Sequence, residues 1–266
     1  MEKWSSLLDT IMENAFKHKH PKNNPDIVYG IRAVEEAINS GRGINKVLVQ
    51  KGLKGDLFKD FWSLMKSKNI VYQGVPVQKL NSITPKNHQG IIAFTAPIEY
   101  ISLELLLPSV YEKGEQPFFL ILDRITDVRN LGAIARTAEC HGVHGIILPS
   151  RGSALVSSDA IKTSAGALNK LPVCKENNLK EVIHFLKNSG LSIVGCSEKG
   201  AENVFDVDFT GPTAIIMGSE EDGISPAYLN LCDRIAKIPM YGTVQSLNVS
   251  VSAGILMYEH KRQSNV

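Results

Sequence analysis

The sequence predicts an α/β protein with two domains, a small one followed by a larger one built on a parallel sheet. Short apolar runs alternate with amphipathic segments over residues 27–96 and again over residues 118–262. Strands that alternate with helices form largely parallel sheets covered on both faces. Residues 97–117, with prolines at 97, 108 and 117, separate the two alternations and are predicted to be a linker with a helical turn at Leu103–Leu107.

The first 26 residues are expected to form a helical extension and a basic linker. Apolar side chains recur at helical spacing from Trp4 to Phe16, and Lys17–Lys22 is rich in lysine and histidine. Interspersed polar and acidic residues argue against a secretory signal or a mitochondrial presequence. We expect the helix to pack on the body of the protein or on a partner.

Residues 27–96 are predicted to form a small domain of three helices and three strands. Apolar residues at helical spacing, such as Ile31, Val34 and Ile38, mark the helices, and short apolar runs mark the strands. In chain order the elements are helix Gly30–Ile38, strand Ile44–Gln50, helix Leu57–Lys68, strand Ile70–Val75, helix Val77–Ile83 and strand Gly90–Thr95.

Residues 118–266 are predicted to form the larger domain. Its strands are Phe118–Leu122, Gly145–Leu148, Leu191–Cys196, Thr213–Met217 and Arg234–Met240, and its helices are Leu131–Cys140, Asp159–Asn169, Leu179–Asn188, Pro226–Leu231 and Asn248–Arg262. Ligands of parallel sheets bind beyond the carboxyl ends of the strands. Three segments lie at such ends: Asp123–Asn130, Gly218–Gly223 and Ile238–Met240.

Composition narrows the class of protein. A hydrophobic content of 43% and a charged content of 21% are typical of a globular protein, and no apolar run reaches the roughly 18 residues that a membrane span needs. The four cysteines form no C-x-x-C pair, which favours a reducing compartment, the cytoplasm. No dinucleotide or P-loop fingerprint occurs, and His141-x-x-His144 lacks a zinc pattern, so we expect no metal.

Charge is distributed unevenly along the chain. Residues 1–100 carry 14 Lys/Arg and 9 Asp/Glu, whereas residues 101–266 carry 15 and 18. A basic first part suggests that a polyanion is held mainly there, although a solvated lysine-rich surface explains the charge equally well.

Three short motifs carry the functional signal. They are N-x-G-A-x-x-R at Asn130–Arg136, G-S-E-x-x-G at Gly218–Gly223 and S-L-N-V-S at Ser246–Ser250. Taken singly, each has a structural explanation: a surface arginine, a tight turn with a turn carboxylate, and a helix cap. Their order and their placement at strand ends favour a common site.

In that order and spacing the motifs resemble those of the SpoU (TrmH-like) ribose 2'-O-methyltransferases of the SPOUT superfamily. The segments Val28–Val34 and His88–Gly90 resemble the small L30e/L7Ae-like substrate domain of one branch, the bacterial 23S rRNA guanosine 2'-O-methyltransferases. The tRNA branch typically lacks this domain, so the resemblance favours rRNA over tRNA. A non-catalytic RNA-binding protein is the alternative from another class.

The resemblance implies a deep trefoil knot in the C-terminal domain, a homodimer, S-adenosylmethionine as cofactor and structured RNA as substrate. The resemblance implies neither a membrane partner nor a metal cofactor. The cofactor is held largely by backbone groups in this family. By position the binding residues are Gly218, Ile238 and Leu247, with Met217, Met240 and Asn248 nearby.

The resemblance also implies catalytic roles. Arg136 matches the arginine that the family treats as essential, and because a guanidinium stays protonated we expect it to position the ribose rather than act as a base. By its chemistry, rather than by the resemblance, Glu220 is the better acid–base candidate. Asn130, Ser246 and Asn248 are expected to orient the ribose, Arg136 and the cofactor by hydrogen bonds. Whether Arg136 serves its own subunit or the partner is open.

Overall fold

The computed structural model describes residues 26–244 and 246–264. The predicted helical extension and basic linker lie outside the described residues, except Asp26. The described chain forms two sheets, one in each predicted domain. None of its helices is long and apolar enough to cross a membrane.

The small domain has a four-stranded mixed sheet in the order β1-β4-β2-β3. Its elements are β1 Ile27–Tyr29, α1 Ile31–Asn39, β2 Ile44–Gln50, α2 Asp56–Ser67, β3 Tyr72–Val75, α3 Val77–Ile83 and β4 Ile91–Thr95. Strand β4 runs antiparallel to β1 and β2, whereas β2 and β3 are parallel. The predicted helices and strands are thus present, and the structure adds the short edge strand β1.

The larger domain has a seven-stranded parallel sheet in the order β7-β6-β5-β10-β8-β11-β9. Its strands are β5 Phe118–Leu122, β6 Gly145–Pro149, β7 Val173–Glu176, β8 Ser192–Cys196, β9 Glu202–Asn203, β10 Thr213–Met217 and β11 Arg234–Lys237. Its helices are α4 Leu103–Glu112, α5 Val128–Cys140, α6 Ser158–Thr163, α7 Leu179–Asn188, α8 Pro226–Leu229 and α9 Val249–Ser264. Because all pairs are parallel, the strands end at one common edge.

Helices cover both faces of this sheet, as predicted. Successive side chains of a strand point to opposite faces. In β5, Phe118 and Leu120 pack into the cluster that contains α5 and α9 residues, whereas Phe119 and Ile121 pack into the cluster with α4 and α7. All four side chains are 0–1% exposed, which explains why the strand is apolar throughout.

The segment 97–117 differs from the predicted linker. It contains α4, whose residues Leu103, Leu107 and Val110 are each 2% exposed and belong to one core of the larger domain. The apolar spacing that suggests a helical turn therefore marks a full helix, and Pro108 lies inside it. This segment packs on the sheet instead of only connecting the domains.

Three other sequence-based assignments also differ from the structure. The predicted helix Asp159–Asn169 breaks at Ala165 and Gly166, whose φ angles of 51° and 86° are incompatible with an α-helix, and a 3₁₀ turn follows. Strand β7 is missing from the prediction because four residues directly after Pro172 give too little periodicity. Strand β11 ends at Lys237, so Ile238–Met240 is a loop at the sheet edge.

Polar contacts hold the small domain beside β6 and β7. The buried Asn45 side chain donates hydrogen bonds to the carbonyls of Thr95 and Val156, each 3.0 Å long. The Lys175 amine, at the end of β7, donates to the Ile44 carbonyl at 3.0 Å and also to the Asn45 carbonyl. Both domains therefore meet at the carboxyl edge of the larger sheet.

Gly132, the glycine of the first motif, allows α5 and α6 to approach each other closely. A Cβ atom at this position would lie 2.6 Å from Thr163 Cβ, 2.8 Å from Thr163 Cγ2 and 3.1 Å from the Ser164 amide nitrogen. These distances leave no room for a methyl group. The motif glycine thus has a packing role.

We expect Gly132→Ala to lower the free energy of unfolding by about 1 to 3 kcal/mol. The reason is that the steric clash of the added methyl group destabilises the fold by more than the higher helix propensity of alanine stabilises it. Urea unfolding followed by circular dichroism measures the change. Gly211→Ala is the control, since its methyl group would meet nothing within 4 Å. Equal stability of Gly132→Ala and the wild type would contradict this packing role.

His260 is a buried histidine whose ring has an aromatic environment. It is 4% exposed, and its ring stacks on Phe118 with centroids 3.6 Å apart. Neither ring nitrogen has a hydrogen-bond partner among residues 26–244 and 246–264. Burial, helped by the charges of Lys261 and His144, lowers the pKa of His260 from 6.5 to about 4.

This lowered pKa predicts acid sensitivity. Between about pH 6.5 and pH 4 the unfolded chain binds a proton at His260 that the folded chain does not bind, so stability falls as the pH drops through this range. From pH 7 to pH 5 the loss from this group is roughly 1 to 2 kcal/mol. We expect His260→Phe, which keeps the ring stack, to lose correspondingly less stability over the same interval.

Denaturant unfolding at pH 7 and pH 5 tests this expectation. The control is His184→Gln, which replaces an exposed histidine on α7. If His260→Phe and the wild type lose the same stability on acidification, His260 does not contribute to the acid sensitivity.

Candidate active site

A pocket of about 1050 Å³ opens at the carboxyl edge of the larger sheet. The segments after β8, β10 and β11 and the segment that leads into α9 surround it. Loops after parallel strands are the expected position of a ligand site in such a sheet. The second and third sequence motifs therefore meet at one cavity.

The loop Gly218–Gly223 is a tight hairpin. The Ser219 amide donates to the Gly223 carbonyl at 3.1 Å, and the Gly223 amide donates back to the Ser219 carbonyl at 3.0 Å. A Cβ atom at Gly218 would lie 2.0 Å from the Gly223 carbonyl carbon, so only glycine fits there. Gly223 has a φ of 68°, which also favours glycine. The turn explanation of this motif is therefore correct, and its role in a binding site stays a prediction.

Asp123 and Arg124 hold this loop in place. Arg124 donates to the Asp222 carboxylate at 3.0 Å and to the Gly223 carbonyl at 3.1 Å. Asp123, 2% exposed, bonds Arg124 at 3.1 Å and accepts the Ser225 amide at 2.7 Å. Chiefly through their hydrogen bond, Asp123 raises the pKa of Arg124. The sequence gives no signal for these long-range contacts beyond a polar pair at the end of β5.

One residue from each motif forms a hydrogen-bonded cluster, here called the Asn–Glu–Asn cluster: Asn130, Glu220 and Asn248. The Asn130 and Asn248 amide nitrogens each donate to Glu220 Oε1 at 2.8 Å, and Asn248 also donates to Asn130 Oδ1 at 3.1 Å. The other carboxylate oxygen, Oε2, has no hydrogen bond within residues 26–244 and 246–264. Glu220 is thus oriented with one oxygen available to a further donor.

Asn248 is oriented by its second role as a helix cap. Its Oδ1 accepts the Ser250 amide at 2.9 Å and the Ser250 hydroxyl at 2.6 Å, at the start of α9. With Oδ1 used in this way, the amide nitrogen must face Glu220 and Asn130. Capping and the cluster therefore depend on the same side-chain rotamer.

All six residues predicted to bind the cofactor line the pocket. They are Met217, Gly218, Ile238, Met240, Leu247 and Asn248. Met217 is 2% exposed at the end of β10, whereas Met240 and Leu247 are 37% and 39% exposed at the rim. Apolar side chains and exposed backbone beside polar groups suit an adenosine-sized ligand. The binding role of these residues stays a prediction.

The other predicted catalytic residues differ in their position relative to the pocket. Glu220 and Ser246 line the pocket, and Asn130 reaches it through Glu220. Arg136 lies exposed on α5, outside the pocket lining, and makes no hydrogen bond or ion pair with the part of the chain that the structure describes. Within this chain, Arg136 is therefore not brought to the Asn–Glu–Asn cluster.

The structure adds lining residues that sequence reasoning does not identify. Ser197, Glu198 and Lys199 follow β8, and Lys237 ends β11. Their only sequence signal is a polar run at the carboxyl end of a predicted strand. They bring two amines and a carboxylate to a pocket that is also lined by the carboxylates of Glu220, Glu221 and Asp222.

Both parts of the chain match known families. Residues 117–258 match the sequence model of the SpoU rRNA Methylase family. Residues 27–101 match the model for RNA 2'-O ribose methyltransferase substrate binding. The chain is 39% identical over 241 residues to YacO of Bacillus subtilis (strain 168), assigned to the TrmH family of tRNA/rRNA methyltransferases, and the match covers 90% of this chain and 96% of the relative.

Solved structures give the same result. The SpoU methyltransferase AviRb from Streptomyces viridochromogenes, solved in complex with AdoMet, is 28% identical with a TM-score of 0.56, covering 89% of both chains. The A. aeolicus TrmH/SpoU tRNA modifying enzyme is 31% identical with a TM-score of 0.52, covering 61% of this chain and 84% of that one. Motifs, fold and relatives agree, and the chain belongs to the SpoU/TrmH family of RNA methyltransferases in the SPOUT superfamily.

Proposed function

We propose that the chain is an S-adenosylmethionine-dependent RNA ribose 2'-O-methyltransferase that acts on a guanosine of 23S rRNA in the bacterial cytoplasm. The observation that carries this proposal is the Asn–Glu–Asn cluster beside the pocket of about 1050 Å³. It presents a carboxylate oxygen next to a cavity large enough for the cofactor. A non-catalytic RNA-binding protein would need no such arrangement.

The pocket fits S-adenosylmethionine. Gly218, Ile238 and Leu247 offer backbone and apolar contacts at its wall, with Met217, Met240 and Asn248 beside them. When bound, S-adenosylmethionine supplies a methyl group on a positively charged sulfur, which reacts with an oxygen nucleophile without a metal ion. We also infer, from the chain's membership of the SPOUT superfamily, that its C-terminal segment is threaded as a trefoil knot.

The Asn–Glu–Asn cluster orients Glu220 as a proton acceptor. The Asn130 and Asn248 amides occupy Oε1, so Oε2 is the atom available to accept the proton of a ribose 2'-hydroxyl. Ser246, at the pocket wall, can hold a neighbouring ribose oxygen by a hydrogen bond. In this way the chain aligns the 2'-oxygen and removes its proton.

Arg136 acts in the site of a second copy, and the enzyme is a homodimer. Helix α9 packs on α5 and leaves Val251 and Tyr258 50% and 63% exposed, an apolar surface that suits a dimer contact. Arg136 is exposed on α5. A partner's α5 and α9 packed on this surface would bring its guanidinium towards the ribose or its phosphate, where it stabilises the developing negative charge.

The substrate-binding match over residues 27–101 supports large-subunit rRNA as the substrate, by analogy with the branch that carries such a domain. A tRNA guanosine is the second candidate, because the similar A. aeolicus enzyme is described as tRNA modifying. Mapping of ribose methylation in rRNA and tRNA from cells with and without this protein decides between them. Loss of one 23S rRNA guanosine methylation supports the first candidate, loss of a tRNA methylation supports the second, and no change in either RNA contradicts the proposed activity.

Mixed dimers test the roles of Arg136 and Glu220 together. We expect Arg136→Ala and Glu220→Gln homodimers each to lose at least about 100-fold in methyl transfer, because each removes a group that acts in the transition state. Both should still bind S-adenosylmethionine. A mixed dimer, purified with two different tags, contains one site with both native groups if Arg136 serves the partner, and should regain about half of wild-type activity.

Transfer of labelled methyl groups to rRNA measures these activities, with each homodimer as its own control. An inactive mixed dimer would mean that Arg136 serves its own subunit. A fully active Arg136→Ala homodimer would remove Arg136 from the mechanism.

A further inference from the structure

A second cavity lies between the two domains. It has a volume of about 650 Å³, and α2 and β3 of the small domain form one wall together with the turn that joins them. The other wall is formed by the segments after β6 and β7 and by α8. This cavity, here called the interdomain cleft, is separate from the cofactor pocket and no catalytic role accounts for it.

Aromatic side chains line the small-domain wall of the cleft. The rings of Trp62 and Tyr72 meet edge to face with centroids 4.6 Å apart, and Phe58 supports Trp62 from 5.8 Å. Tyr72 is 42% exposed on a short edge strand, and Tyr228 lies on the opposite wall. Exposed rings held in place by neighbouring rings form a platform on which a nucleic-acid base can stack.

The charge of the cleft is positive. Lys66 lies 5.6 Å from the centre of the Trp62 ring, and Arg151 approaches from the loop after β6. None of the described residues that line the cleft is Asp or Glu. The Asn69 and Asn177 side-chain amides add donors and acceptors of the kind that read base edges. This combination fits a phosphate and a base better than an apolar ligand.

The cleft lies on the same edge of the sheet as the cofactor pocket. Pro226 and Leu229 of α8 line the cofactor pocket, whereas Tyr228 of the same short helix lines the cleft. The two sites are therefore separated by about one helix diameter, 10 to 12 Å, which three nucleotides span at the 3.4 Å rise of a stacked strand.

We propose that the interdomain cleft binds an unpaired nucleotide of the RNA substrate, about three positions from the methylated ribose. Its base stacks on Tyr72 beside Trp62, and its phosphate contacts Arg151 and Lys66. This inference rests on the proposed function. It adds a subsite that makes the small domain and the catalytic domain grip the same strand, so that the strand is fixed relative to the Asn–Glu–Asn cluster.

Binding of a labelled single-stranded RNA decamer tests the subsite. The Trp4→Phe background leaves Trp62 as the only tryptophan, since the chain has two. In this background we expect the decamer to quench Trp62 fluorescence in a saturable way. Fluorescence anisotropy of the decamer should show that Tyr72→Ala and Arg151→Gln each raise the Kd at least about fivefold, while Tyr72→Phe, which keeps the ring, stays near wild type.

Matched controls lie outside the cleft. Tyr111 on α4 is 41% exposed, against 42% for Tyr72, so Tyr111→Ala removes a ring of the same type and exposure. Lys113→Gln removes an exposed charge next to it. If the cleft variants and these controls raise the Kd for the decamer equally, the proposed subsite is overturned. Guanosine monophosphate that binds as tightly as the decamer would also overturn it, because the cleft would then be a free-nucleotide site.

Methyl transfer to rRNA separates this inference from the proposed function. We expect the cleft variants to raise the KM for RNA at least about fivefold, with kcat and the affinity for S-adenosylmethionine unchanged. An unchanged KM in an otherwise active enzyme overturns the subsite and leaves the proposed function intact. Absence of methyl transfer to any RNA by the wild-type protein overturns both.

Discussion

The hydrogen bonds that Asn130 and Asn248 donate to Glu220 are the contacts on which the site depends. They join three segments that are about 90 and 28 residues apart in sequence, at 2.8 Å each. Because one oxygen of Glu220 is fixed by two amides, the other oxygen has a defined direction at the wall of the candidate cofactor pocket. Without these hydrogen bonds, the start of α5, the hairpin Gly218–Gly223 and the cap of α9 would not form one hydrogen-bonded cluster.

The parallel sheet supplies the positions for this cluster. All of its strands end at one edge, so the loops after β5, β8, β10 and β11 must meet there. Two glycines permit close approaches near this edge. Gly132 allows α5 to pack closely against α6, and Gly218 allows the hairpin Gly218–Gly223 to fold back on itself. Asp123 and Arg124 then hold the hairpin against the end of β5.

Much of this architecture follows from the sequence because it is encoded locally. Apolar periodicity locates most helices and strands, and the three motifs indicate the segments that contribute to the candidate site. Features that depend on residues distant in the chain cannot be predicted from the sequence in this way. Nothing near Arg124 indicates that it reaches Asp222, 98 residues away, and the short strand Val173–Glu176 gains its identity only from pairing with β6. The interdomain cleft exists only once both domains are assembled.

A crystal structure of the protein with S-adenosylhomocysteine is the most direct test of the central claim that this edge of the sheet is a methyl-transfer site. We expect the nucleoside to contact Gly218, Ile238 and Leu247, and its sulfur to face the side of the pocket where Glu220 lies. A nucleoside bound elsewhere on the protein, or bound with its sulfur turned away from Glu220, would contradict the role assigned to the Asn–Glu–Asn cluster.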